Sequence, residues 1–67
     1  METINLISAI AKVVDAKKST DKAYITLSKA FFNGTDEELH NAVIELQKSL
    51  SIYATASNYA FMATLNK

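Results

Sequence analysis

The sequence predicts an all-α fold, an antiparallel helical hairpin, on three observations. A single glycine, Gly34, stands at the midpoint of 67 residues, no proline interrupts either arm, and Thr35 followed by Glu38 forms a capping box directly after the glycine. Glycine is the commonest residue just past a helix C-terminus because it enters the left-handed region without a Cβ penalty. A Thr-x-x-Glu pair starts a new helix by satisfying two orphan backbone donors reciprocally. One domain over residues 1–67 is therefore expected, turning at Phe32–Asp36, with Gly34 left-handed.

In the first arm, Ile4, Leu6, Ile7, Ile10, Val13 and Val14 recur at helical spacing, with Thr3 available as the N-cap. From Asp15 to Lys22 only Ala16 is apolar. Two readings of this gap stand side by side. Either the arm runs on as one helix, since neither Gly nor Pro breaks it, or Ser19-Thr20-Asp21 caps a second helix whose apolar face is Tyr24, Ile25, Leu27, Phe31 and Phe32.

In the second arm, Asp36, Glu37 and Glu38 fill the first turn, where negative charge opposes the positive end of the helix dipole. Consecutive helical residues point about 100° apart, so these three cannot converge on one metal ion. The lone His40 has neither a cysteine nor a second histidine to work with and reads as a polar-face residue. Leu39, Val43, Leu46, Leu50, Tyr53, Ser57 and Ala60 form a seam at spacings of three and four, long enough for coiled-coil-like packing against the first arm.

Beyond Lys48 the character changes, because residues 49–66 contain no charged side chain and apolar positions surround the helix. Ser49, Ser51, Thr55, Ser57, Asn58, Thr64 and Asn66 dilute this segment too far for a membrane span, and the flanking lysines of an interfacial helix are missing. A protein interface is the expected use. Leu46, Leu50, Tyr53, Ala56, Tyr59, Ala60, Phe61 and Met62 are its predicted partner-binding residues, the aromatics and methionine as anchors and the alanines as points of close approach.

Composition narrows the function further. A chain this small buries only about 60% of the surface its unfolded form exposes and usually needs a staple. No cysteine is present, and one histidine does not make a zinc site. With 49% hydrophobic residues the chain is far from a disordered composition, so the missing stability is expected from self-association or a heterologous protein partner. Seven lysines balance seven acids and arginine is absent, which disfavours nucleic acid. Residues 1–34 hold five lysines against three acids and residues 35–67 two against four, a split that favours antiparallel pairing of the arms.

No nucleophile with a base, carboxylate pair or glycine-rich phosphate loop appears, so neither an enzyme nor a cofactor or small-molecule site is expected. Glu2 and Lys12 do not fit a signal peptide, which points to a cytoplasmic start with any export following a signal-independent route. Asn33-Gly34-Thr35 spells a glycosylation sequon but reads as a loop in that setting. A small regulatory protein of the antitoxin or inhibitor type, acting by occupying a partner's surface, is the alternative to an assembly module.

The stretch Glu45-Leu46-Gln47-Lys48-Ser49-Leu50-Ser51-Ile52-Tyr53 resembles the Leu-Gln-x-x-Leu-x-x-Tyr stretch on the second helix of type III secretion needle subunits, small helical hairpins that polymerise. The likeness spans residues 27–58. It departs at the turn, where Asn33-Gly34-Thr35-Asp36 replaces that family's Pro-x-x-Pro-like turn, and the charged tail of the needle proteins has no counterpart after Ser57. In size and layout the chain is also similar to the hairpin co-chaperones that, with a larger partner, keep the needle subunit monomeric. The resemblance implies a needle-associated subunit or co-chaperone.

Overall fold

A computed structural model describes residues 6–65 as two helices, α1 (Leu6–Asn33) and α2 (Asp36–Leu65), packed along each other as an antiparallel hairpin. The rod measures 51 × 13 × 12 Å. The predicted N-cap Thr3 and the first apolar residue Ile4 lie outside the described residues.

The turn follows the chemistry of its residues. The Thr35 amide donates to Glu38 Oε1 at 2.9 Å, and the Glu38 amide donates to Thr35 Oγ1 at 3.1 Å, so both halves of the capping box are made. The Gly34 amide still donates to the Ala30 carbonyl at 2.9 Å. The expected left-handed glycine is corrected: the backbone at Gly34 lies outside that region, and crowding is what demands a glycine. A Cβ there would stand 2.8 Å from Glu38 Oε1 and 2.9 Å from both the Cα and the carbonyl oxygen of Ala30. Since the Ala30 contacts are backbone, they yield only if the turn opens. Gly34→Val is expected to cost more than about 1 kcal/mol, and an unchanged melting temperature would remove the crowding argument.

The first arm is one unbroken helix, which overturns the alternative of a second helix capped by Ser19-Thr20-Asp21. Thr20 does not cap a new helix; its hydroxyl donates back to the Ala16 carbonyl at 2.9 Å, and Ser49 of α2 offers its carbonyl at 3.4 Å. Lys17 and Asp21 pair one turn apart at 3.2 Å, so the polar gap carries its own helical links.

Packing between the helices rests on small residues. In α1 the residues withdrawn from solvent are Leu6, Ala9, Val13, Ala16, Thr20, Ala23, Leu27 and Ala30, a strict alternation of steps of three and four. In α2 the same rhythm runs through Leu39, Ala42, Leu46, Ser49, Tyr53, Ala56, Ala60 and Ala63, with Ile44 and Ser57 half-buried beside it. Of the predicted second-arm seam, Leu39, Leu46, Tyr53 and Ala60 lie on this line, while Val43 and Leu50 fall on its exposed edge.

The register set by the turn and by Thr20 opposite Ser49 places Leu27 against Ala42, Ala23 against Leu46, Ala16 against Tyr53 and Val13 against Ala56. Each larger side chain thus meets a small one, which lets the axes approach toward the short end of the usual 8–10 Å or so. The most buried residues are Ala9 at 1% exposure and Thr20 at 3%, and no large side chain is fully buried among the described residues.

Candidate protein-binding surface

A seam of alanines consumes little of the chain's apolar surface. Seven large hydrophobic residues of α1 (Ile7, Ile10, Val14, Tyr24, Ile25, Phe31, Phe32) and seven of α2 (Val43, Leu50, Ile52, Tyr59, Phe61, Met62, Leu65) are between 39% and 86% exposed. Scattered exposed hydrophobics are ordinary, but contiguous stripes of them on a small protein mark interaction surfaces.

The stripes have a definite place. On α1, the residues one position beyond the seam are Ile7, Ile10, Val14, Lys17, Asp21, Tyr24, Ser28 and Phe31, a second line rotated to one flank of the hairpin in which apolar residues stand on either side of a charged centre. Val43, Leu50 and Phe61 occupy the corresponding flank of α2. The Phe31 and Phe32 rings stand edge to face near the turn with centroids 4.9 Å apart, and both are largely exposed.

The opposite flank holds an open groove of about 530 Å³. Lys12, Asp15 and Ser19 form its α1 wall, and Ile52, Thr55 and Tyr59 its α2 wall. Ser49 and Ser51 also line it, so charge stands on the α1 side only, and the α2 side mixes hydroxyls with Ile52 and Tyr59.

The predicted partner-binding residues separate into two groups. Leu50, Tyr59, Phe61 and Met62 point outward and are available to another molecule. Leu46, Tyr53 and Ala56 are half-buried on the seam with α1, and Ala60, at 6% exposure, is closed off by it. Ala60 therefore serves the close approach of the chain's own helices rather than an outside partner, because a methyl group sealed between two helices offers nothing to a third.

The α1 stripe lay outside the predicted set altogether. Alanine at every seventh position of α1 (Ala9, Ala16, Ala23, Ala30) is the signal that identifies the true seam and frees the larger residues to face outward.

Other chemistry is sparse. Among the described residues no three His, Asp or Glu side chains come together to hold a metal ion, and no helix is long and apolar enough to cross a membrane. The only ion pairs among them, Lys17–Asp21 and Glu45–Lys48, are local and exposed. Compared with protein-family models, with curated proteins and with solved structures, the chain matches none.

Proposed function

We propose that this protein is a non-enzymatic protein–protein interaction module that works by having its outward apolar faces covered, with the uncharged C-terminal part of α2 as a principal contact. The observation that carries this reading is the division of labour between side chains. Small residues set against a few larger ones close the hairpin, and among the described residues fourteen large hydrophobic side chains remain at least 39% exposed. Covering the area that each still exposes stabilises a complex by about 25 cal/mol per Å² of apolar surface, less the rotamer freedom lost on burial.

The narrower reading, a needle-associated subunit or co-chaperone of type III secretion, rests on the stretch from Leu46 to Tyr53. Leu46 and Tyr53 lie on the intramolecular seam and Leu50 on its edge, so those positions are also what any hairpin with this seam requires. A regulatory protein that occupies a partner's surface would use the same outward residues.

Sedimentation equilibrium over a wide concentration range tests the module reading, together with retention of a specific protein on immobilised wild type. Association with itself or with a defined partner is expected. A stable monomer at all concentrations that retains no specific protein would remove the basis of the proposal.

A further inference from the structure

We infer that the α1 flank is occupied by a second copy of this chain, α1 lying antiparallel to the partner copy's α1 across a two-fold axis midway between Lys17 and Asp21. This rests on the reading of the outward faces as protein-binding surfaces and specifies the occupant of one of them.

The α1 stripe has a reversal symmetry. Its positions, at steps of three and four, are Ile7, Ile10, Val14, Lys17, Asp21, Tyr24, Ser28 and Phe31. Read backwards against itself about the midpoint, Ile7 falls opposite Phe31, Val14 opposite Tyr24 and Lys17 opposite Asp21, while Ile10 meets the small Ser28. A two-fold interface demands this property, since each contact between two positions is repeated with the copies exchanged. The apolar ends meet apolar ends, and the charged centre meets its complement.

Electrostatics selects the antiparallel arrangement. Lys17 and Asp21 already pair within the helix at 3.2 Å, both more than half exposed. Two such pairs facing each other about the axis form a four-member alternating cluster, whereas a parallel arrangement at the same level would put Lys17 against Lys17. Lys12, Lys22 and Lys29 fall on the far side of α1 and do not oppose the approach, and Lys18 stands at the edge.

Charge reversal provides the test, read by sedimentation equilibrium with helicity checked by circular dichroism. Lys17→Asp places acid opposite acid across the axis, and Asp21→Lys places lysine opposite lysine, so each variant alone should dimerise about tenfold or more weakly than wild type. Mixed in equal amounts, the two should recover a heterodimer of near wild-type affinity, because position 17 of each then faces its opposite at position 21. No intramolecular effect of either substitution produces that recovery. Tyr24→Ser, which leaves the ion pair intact, should weaken the dimer as well, and it serves as the second variant should a charge reversal disturb the helix.

A monomeric wild type would overturn the inference, as would single variants that dimerise like wild type or a mixture no stronger than its components. A monomer that still binds a different protein would overturn only the self-pairing. A monomer with no partner would overturn the module reading too.

Discussion

Ala16→Leu is expected to open the hairpin. Ala16 is buried on the seam in register with Tyr53, and three further carbon atoms there force the helices apart or drive both side chains out of their rotamers. Overpacking of this kind costs about 1–3 kcal/mol, a large share of the stability of so small a domain. Tyr53→Ala alone should also destabilise, by vacating the space that the alanine at position 16 leaves for it.

Together the two substitutions exchange the large and the small partner. The double variant should therefore be more stable than the sum of the single effects, which thermal melts followed by circular dichroism can measure. Strict additivity would mean that residues 16 and 53 do not share a layer.

The second large effect concerns association. Phe61 is 60% exposed on the same flank as Val43 and Leu50, and Phe31 is 66% exposed at the end of the α1 stripe. Phe61→Asp or Phe31→Asp puts an unpaired carboxylate where an apolar surface is to be covered, at a cost of several kcal/mol when buried. Helicity should stay intact, since both positions face away from the seam, while the association constant falls by about two orders of magnitude or more. Lys22→Glu, on the far side of α1, should change it little. Equal effects from all three would show that net charge, and not the apolar flank, governs association.

What could be read from the chain alone depended on how each feature announces itself. The turn was legible because Gly34 and the Thr35–Glu38 box are punctuation with a local mechanism, and both capping bonds are present. The reason for the glycine was not legible. Left-handed geometry and backbone crowding both call for a missing Cβ, and only the position of the Ala30 backbone distinguishes them.

Continuity of α1 across Asp15–Lys22 stayed open for a related reason. The contacts there are made by Ala16, Thr20 and Ala23, residues to which hydrophobic periodicity gives little weight, and the Thr20 hydroxyl finds its partners only once the helix and its neighbour exist.

The candidate surface was half legible. Tyr59, Phe61 and Met62 were identified because the charge-free segment around them stands out. Ile7, Val14, Tyr24 and Phe31 belong to the first arm's apolar faces, and periodicity alone does not say which face turns outward, because a second stripe next to the seam has the same period as the seam itself. Size decides between the two stripes: the one that repeats alanine every seven residues closes the pair, and the one with the bulky residues is left outside.

Hydroxyl-radical footprinting read residue by residue in the mass spectrometer tests the central claim most directly, that the outward apolar faces are what the folded chain uses to associate. In the dilute hairpin Tyr24, Phe31, Tyr59, Phe61 and Met62 should label readily and the half-buried Tyr53 less so. Under conditions where sedimentation shows association, labelling of Tyr24, Phe31 and Phe61, on the flank that pairs, should fall severalfold while Tyr53 hardly changes. Undiminished labelling of every outward residue in an associated sample would contradict the account.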